Sequence, residues 1–156
     1  MPQNNKTPLT DWDHLPDIEL YLDQVLTILN RQDYPIPSEP ELTASMINNY
    51  VKAGLLPRTK SKRYGKEHLA RLIIISALKS VLTVTELKNL FDASERSDEA
   101  LYEQFRAILR EEEELPKTLA REMSDPIEEA IACAVRATLY KQRTRQLLEK
   151  TVDADE

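Results

Sequence analysis

The spacing of hydrophobic residues along the chain predicts helices almost throughout. After a polar segment with several prolines, residues 1–16, apolar residues recur every three or four positions over residues 17–29, which is typical of one amphipathic helix. Three prolines in residues 32–41 then predict a stiff connector without regular structure. We therefore expect a flexible N-terminal lead-in, a first helix beginning at Asp17, and an extended link to the next helix.

Local end signals bound the second helix. Thr43 is a suitable N-cap residue, and Gly54 is placed to end the helix because glycine adopts positive φ without a Cβ clash. Between them Ile47, Tyr50 and Val51 form the expected buried face. Pro57 stops the helix from resuming, so the polar residues 58–63 form either a tight loop or a small hairpin.

The next stretch, from about Lys66 to Val81, is apolar on nearly every side, which indicates a central helix covered by other elements. Its consecutive apolar residues 72–75 leave a strand as the alternative. Residues 83–86 (Thr-Val-Thr-Glu) form a capping box, which predicts a fourth, short helix.

Two more helices are predicted in the C-terminal part. Ser97 is the expected N-cap of the first, with Leu101, Phe105, Ile108 and Leu109 on its buried face. The acidic residues 111–114 are interpreted as a solvated face. Ser124-Asp125-Pro126 starts the last helix, since proline is tolerated at the first helical position, and the pattern continues to about Glu149. The apolar stripe of that helix consists of Ile127, Ile131, Ala134, Val135, Leu139 and Leu147.

This pattern gives three regions. They are a flexible lead-in (1–16), a helix-turn-helix domain (17–95) and a C-terminal helical region (96–150) whose stripe is the candidate dimer surface. Two glycines in 156 residues support the all-α fold class.

Composition excludes several kinds of site. A single cysteine, Cys133, allows neither an internal disulfide nor a zinc site of the usual cysteine spacing, and we expect it to be a small core residue. His68 is expected on the surface. No catalytic or metal-ligand spacing is found, so we expect a protein that is not an enzyme and has no cofactor. The N-terminus lacks the apolar core of a signal peptide, which favours the cytoplasm.

Charge is distributed very unevenly. Residues 42–80 contain eight basic residues and one acidic residue, a net +7, whereas the whole chain carries −6, so the remainder sums to −13. A local excess of this size in an acidic protein indicates a surface that meets a polyanion. The order helix, turn, helix, basic loop, helix is that of a winged helix-turn-helix, whose second helix reads base edges in the major groove.

The same residues resemble a known family of DNA-binding proteins. Residues 43–57 (Thr-Ala-Ser-Met-Ile-Asn-Asn-Tyr-Val-Lys-Ala-Gly-Leu-Leu-Pro), 63–69 (Arg-Tyr-Gly-Lys-Glu-His-Leu) and 82–90 are similar to MerR-type transcription regulators. Residues 17–91 resemble the bacterial domain of unknown function 1836 family more closely, through residues 20–25 (Leu-Tyr-Leu-Asp-Gln-Val), 46–50 and 78–82. The resemblance implies an all-α fold with a MerR-like winged helix-turn-helix core and additional C-terminal helices.

The expected partners are double-stranded DNA and a second copy of the chain, with no membrane. Ser45, Met46, Asn48 and Asn49 fall where MerR-type readers face bases, while Tyr50 is expected to be more a core residue than a contact. The full predicted DNA-binding set is Thr43, Ser45, Met46, Asn48, Asn49, Tyr50, Lys52, Arg58, Lys60, Lys62, Arg63 and Tyr64. The alternative is a non-enzymatic protein-interaction module that keeps the helix-turn-helix as a scaffold and docks a basic partner on its acidic C-terminal helices.

Overall fold

The computed structural model describes residues 6–113, 115 and 123–154, and in those residues all regular structure is helical, which confirms the all-α prediction. A short 3-10 helix (Trp12–His14) precedes six α-helices within this part of the chain. They are α1 (Leu22–Leu29), α2 (Ala44–Lys52), α3 (Lys66–Leu78), α4 (Val84–Ala93), α5 (Asp98–Glu112) and α6 (Pro126–Ala154). Extended pairing among the described residues is limited to two single antiparallel β-bridges, Leu20 with Tyr64 and Lys60 with Arg63.

The chain divides into two compact units, Met1–Arg106 and Ala107–Glu156. The first unit continues into α5. Within this unit Arg71 of α3 pairs with Asp98, the first residue of α5, with Nε and Oδ1 2.8 Å apart. Across residues 6–113 and 123–154, every helix is too short or too polar to cross a lipid bilayer.

Helix α3 forms the centre of the first unit. Nine of its thirteen residues are buried, and α1 packs against both α2 and α3. This confirms the predicted central helix and decides against the strand alternative for residues 72–75. Each fully buried leucine or isoleucine contributes about 1.5–3 kcal/mol through removal of apolar surface from water. The apolar residues of this core include Leu20, Val25, Leu29, Leu42, Ile47, Leu55, Leu56, Leu69, Leu72, Ile73, Ile74, Ile75, Leu82, Leu87 and Phe91.

The predicted helix ends are mostly confirmed. The Thr43 hydroxyl accepts a hydrogen bond from Met46 N at the start of α2. Thr83 and Glu86 exchange two reciprocal bonds of 3.0 and 3.1 Å, which is the predicted capping box of α4. Ser97 Oγ accepts from Ala100 N at 3.2 Å, so it caps α5 as expected.

The predicted start of the first helix was wrong by several residues. Helix α1 begins at Leu22, because Leu20 forms two backbone hydrogen bonds with Tyr64, each 2.8 Å, and an extended residue cannot at the same time be helical. The residues before Leu22 therefore project differently from the predicted stripe, and Ile18 and Tyr21 are exposed. Local periodicity contains no information about a partner forty-four positions away.

The N-terminal segment packs against α5. Leu9 and Leu15, both in the segment predicted as a lead-in, are buried within the first unit. The Tyr102 hydroxyl donates to the Thr10 carbonyl, Arg106 Nε donates to the Leu9 carbonyl at 3.1 Å, and Glu103 accepts from Trp12 N at 2.8 Å.

These contacts correct the predicted buried face of α5. Tyr102 is fully buried, which raises the pKa of its hydroxyl, whereas Ile108 is exposed and Leu101, Phe105 and Leu109 are half-buried. The four predicted residues follow the helical period correctly, but the face that packs is turned toward the N-terminal segment.

The last helix, α6, starts at Pro126 as predicted, with Asp125 Oδ1 accepting from Ile127 N at 3.0 Å, and extends to Ala154, beyond the predicted end. Its stripe is exposed: Ile127, Ile131, Val135, Leu139 and Leu147 retain between 46% and 69% of their accessible surface. Cys133 is also exposed, so its predicted role as a core residue is wrong, because nothing in the described chain covers that side of the helix.

We expect Tyr102→Ala to lower the free energy of unfolding of the first unit by about 3–5 kcal/mol, because it empties a site with 0% exposure. Tyr102→Phe keeps the ring and loses the bond to Thr10, so its cost is about 1 kcal/mol. Fluorescence of Trp12, whose ring centroid lies 6.3 Å from that of Tyr102, reports the transition in urea.

Tyr140→Phe serves as the matched control, since Tyr140 is 67% exposed and its replacement changes stability by less than about 0.5 kcal/mol. If Tyr102→Ala had as small an effect as the control, the N-terminal segment would not be part of the folded unit.

Candidate nucleic-acid interface

Helix α2 has one buried and one polar face. Ile47 and Tyr50 are buried, and Met46 and Val51 are partly covered beside them. The opposite face is exposed and consists of Ala44, Ser45, Asn48, Asn49 and Lys52. Four of these five side chains are polar and none is acidic, so the face presents hydrogen-bonding groups without repelling an anion.

The end of α2 is a complete glycine-terminated motif. Gly54 has φ +81°, its N–H donates to the Val51 carbonyl, and Leu55 N–H donates to the Tyr50 carbonyl. This pair of bonds defines the Schellman motif and satisfies carbonyls that the helix itself leaves unpaired. After this change of chain direction Leu55 and Leu56 are buried in the core, as predicted, and Pro57 is exposed at the surface.

Residues 58–63, which we call the basic turn, end in a two-residue hairpin. Arg63 N–H donates to the Lys60 carbonyl at 3.0 Å, and the two central residues, Ser61 and Lys62, have φ of 52° and 57°. Positive φ at both central positions defines a type I′ turn, for which Asn-Gly is the preferred sequence. The sequence left open a tight loop or a small hairpin, and the structure has the small hairpin. Its two central positions, where glycine is common, are occupied by Ser61 and Lys62.

The basic turn is attached to the segment that precedes α1. Besides the backbone pair between Leu20 and Tyr64, the Arg63 guanidinium lies 5.4 Å from the centre of the Tyr21 ring and donates to its hydroxyl at 3.3 Å. Glu19 is 3.6 Å from Arg63, and both groups are about half exposed. These contacts, the Tyr21 hydrogen bond foremost, raise the pKa of Arg63 and orient its side chain along the protein surface.

His68 closes the base of the basic turn, so its predicted surface position was wrong. Its ring is buried, Nδ1 accepts from Gly65 N at 3.1 Å, and Nε2 lies 2.9 Å from the Pro57 carbonyl. Because Nδ1 is an acceptor, the proton of the neutral ring is on Nε2, which donates to Pro57. The available signal was the spacing: His68 is the third residue of α3, where a side chain can bond back to the N-cap.

Half of the eight basic residues in 42–80 are held by contacts within the protein. Besides Arg63, Lys66 lies over the Trp12 ring, Lys79 Nζ donates to the Pro40 carbonyl, and Arg71 bonds both Asp98 and the Leu55 carbonyl. Burial lowers the pKa of Lys79. The exposed cations without an ion pair in the described part of this stretch are Lys52, Arg58, Lys60 and Lys62.

The polar face of α2 and the basic turn are neighbours. Lys62 and Ala44 line one open cleft together with Leu22 and Leu26 of α1, so a central residue of the turn and the first residue of α2 face the same cleft. Asp23 lines the same cleft, which sets a limit to the positive surface on the side of α1. Asn48, Asn49 and the lysines of the basic turn are all exposed, as contact with a common ligand requires.

The remaining residues of the predicted set have structural roles. Thr43 caps α2, while Tyr50 and Tyr64 are buried, which raises the pKa of both hydroxyls. The core position of Tyr50 is the one the sequence favoured. Met46 is partly buried in a cleft between α2 and the start of α4, which it shares with Leu82 and Leu87.

We expect Lys62→Gly to raise the free energy of unfolding by about 0.5–1 kcal/mol, because glycine adopts φ near 57° without the Cβ clash that lysine has there. Lys60→Gly is the control: Lys60 is paired with Arg63 in an extended conformation, so glycine there costs about 0.5–1 kcal/mol of backbone entropy. Urea unfolding measures both, and equal destabilisation by the two changes would mean that the turn is not strained at Lys62.

Within the described residues, no three His, Cys, Asp or Glu side chains are grouped closely enough to hold a metal ion. No curated protein and no solved structure matches the chain. One family model does match, and it covers residues 10–107, which contain α1 to α4, the basic turn and most of α5. Because the match extends over more than half of the chain, the protein belongs to the family described as domain of unknown function (DUF1836).

Proposed function

We propose that the protein is a bacterial transcription regulator that binds duplex DNA through a MerR-like winged helix-turn-helix. The observation that supports this most directly is the adjacency of an exposed polar helix face and a turn with unpaired cations, joined through the cleft that Ala44 and Lys62 share. In this proposal α2 is the recognition helix and the basic turn is the wing.

The face of α2 suits the major groove. Asparagine bonds an adenine through two hydrogen bonds, and each such pair discriminates against other bases by about 1–3 kcal/mol. Asn48 and Asn49 are exposed and lie beside Ser45 and Lys52, so the face offers both base-reading amides and a cation for the adjoining phosphate. In this proposal Tyr50 does not contact DNA; its buried ring packs α2 against the core.

The basic turn suits the phosphate backbone. Arg58, Lys60 and Lys62 are exposed and make no ion pair within the described chain, so no internal bond has to break before they contact phosphates. Arg63 is already bonded to Tyr21 and Glu19 and contributes mainly to the position of the turn. Contacts of this kind carry no sequence information and make binding salt-dependent.

The proposal includes a homodimer formed through α6. Of the fourteen large hydrophobic residues that are exposed in the described chain, seven lie on this one helix. Ile127, Ile131, Val135 and Leu139 follow one another at four-residue spacing, which forms a ridge that packs against a second helix. Glu128 and Glu129 lie at one end of this ridge and Lys141 and Arg143 beyond the other, so an antiparallel copy brings opposite charges together. The protein acts in the cytoplasm, without catalysis or a cofactor.

Replacement of Lys60 and Lys62 by alanine is expected to weaken binding to every duplex alike and to reduce the slope of log K against log salt by about 2, since each phosphate contact contributes about 0.9. Asn48→Ala is expected instead to change the sequence preference at one position by about 1–3 kcal/mol. Fluorescence anisotropy over a salt series, with duplexes selected from a random pool, measures both effects.

A matched control removes two other exposed cations, Arg96 and Lys150, and is expected to leave the slope within about 0.3 of the wild-type value. Equal slopes for all three proteins would exclude the basic turn from the interface. Absence of duplex binding by the wild-type chain at low salt would favour the alternative function, a protein-interaction module. The acidic C-terminal helices would then be the surface that docks a basic partner.

The double change Ile131→Ser and Leu139→Ser is expected to shift the protein from dimer to monomer in sedimentation equilibrium, because it removes two buried anchors of about 1.5–3 kcal/mol each per protomer. The control, Ala130→Ser with Ala137→Ser, alters two exposed residues on another side of α6 and leaves the dimer intact. A wild-type chain that stays monomeric at high concentration would contradict the α6 interface.

A further inference from the structure

The two ends of the basic turn are joined by one side chain. Pro57 lies immediately before residues 58–63 and Gly65 shortly after them, and the His68 ring bonds the carbonyl of the first and the N–H of the second, at 2.9 and 3.1 Å. A buried imidazole thus bridges backbone groups that are eight positions apart in sequence. Each of its two nitrogens has one partner, so the neutral ring is fully satisfied.

The position of the His68 ring is itself fixed by packing. The Tyr64 ring meets it edge to face, with centroids 5.6 Å apart, and Tyr64 is held by its backbone pair with Leu20. His68 also belongs to the first turn of α3, the most buried helix of the unit. The ring is therefore a rigid point to which the base of an otherwise exposed turn is fastened.

The turn itself has few internal interactions that keep its shape. Its two central residues have positive φ without being glycine, so the local backbone preference opposes the conformation observed. One internal hydrogen bond, from Arg63 N–H to the Lys60 carbonyl, closes the hairpin. A strained turn persists only where the surrounding structure determines it. Here that structure consists of the Leu20–Tyr64 pair and the Arg63 contacts with Tyr21 and Glu19 on one side, and of His68 at the base.

We propose that His68 is a positioning residue for DNA binding: by closing the turn at Pro57 and Gly65 it holds Lys62 at the cleft it shares with α2, and Lys60 two positions before it, so that both can contact the same stretch of DNA backbone. This inference rests on the proposed function for its consequence, the contact with phosphate. Its structural part, the closure of the turn by His68, is measurable without DNA. His68 touches no ligand and acts through the geometry of the two lysines.

The test uses the full chain and the variants His68→Phe and His68→Gln. Phenylalanine keeps an aromatic ring against Tyr64 and loses both hydrogen bonds. Glutamine keeps a side-chain carbonyl that can accept from Gly65 N–H, as glutamine does at this position of a capping box. Tyr102→Phe is the control for general loss of stability, since it loses a buried hydrogen bond on α5 far along the chain from the turn.

Trypsin probes the turn in the absence of DNA, because Arg58, Lys60, Lys62 and Arg63 are all trypsin sites. We expect His68→Phe to raise the cleavage rate at these residues by about tenfold, with a smaller rise for His68→Gln and none for Tyr102→Phe. Cleavage after Lys150 in α6 serves as the internal reference. An unchanged rate in His68→Phe, or an equal rise in Tyr102→Phe, would overturn the proposal.

The second readout is the salt dependence of duplex binding. We expect the slope to fall by about 2 in His68→Phe, as in the double lysine variant, and to recover partly in His68→Gln. A normal slope in His68→Phe, with its turn opened, would overturn the positioning role. If the wild-type chain bound no duplex while trypsin still opened the turn in His68→Phe, the proposed function would fail and closure of the turn by His68 would stand.

Discussion

Two hydrogen bonds of 2.8 Å between the backbones of Leu20 and Tyr64 determine the arrangement of the candidate interface. They keep the residues before Leu22 extended, so α1 starts late and presents Tyr21 next to the basic turn. They also hold Tyr64 against the His68 ring. Without this pair the basic turn would be fastened only at its base by His68 and through the Arg63 side chain, and its lysines would be held less firmly.

The basic residues of 42–80 have two different roles, contact within the protein and exposure to solvent, and the structure shows which residue has which role. Arg71 is bonded to Asp98 and to the Leu55 carbonyl while it lies 5.0 Å from the centre of the Phe91 ring, so it joins α3, α4, α5 and the end of α2. Lys66 and Lys79 likewise contact groups of their own chain. The excess of positive charge in the sequence is thus partly a means of packing helices. The cations that remain available are concentrated on the basic turn and at the end of α2.

The sequence predicts correctly those features, such as helix caps and helix ends, that depend on residues close together in the chain. The cap at Thr43, the glycine end at Gly54 and the capping box at Thr83 are local, since each depends on groups at most five positions apart, and all three are confirmed. The all-round apolar pattern of α3 likewise predicts its central position. The exposed face of α2 follows from the helical period once Ile47 and Tyr50 are known to be inside.

The failures have a common physical cause, which is contact between distant residues. Leu20 pairs with Tyr64, Tyr102 with Thr10, and His68 with Pro57, and none of these pairs leaves a trace in local periodicity. Cys133 shows the reverse error: its apolar neighbours predict burial, yet the described chain offers nothing to cover them. A stripe of hydrophobic residues predicts that one face of a helix is buried, but it does not identify the element or partner that covers this face.

The central claim is that α2 and the basic turn form one surface that contacts duplex nucleic acid. Backbone amide chemical shifts of the full, isotope-labelled chain, recorded while a duplex of about 20 base pairs is added at low salt, test this residue by residue. The account predicts that the largest changes fall on residues 45–52 and 58–63 and that they diminish as salt is raised. Changes confined to α5 or α6, or none at low salt, would contradict it.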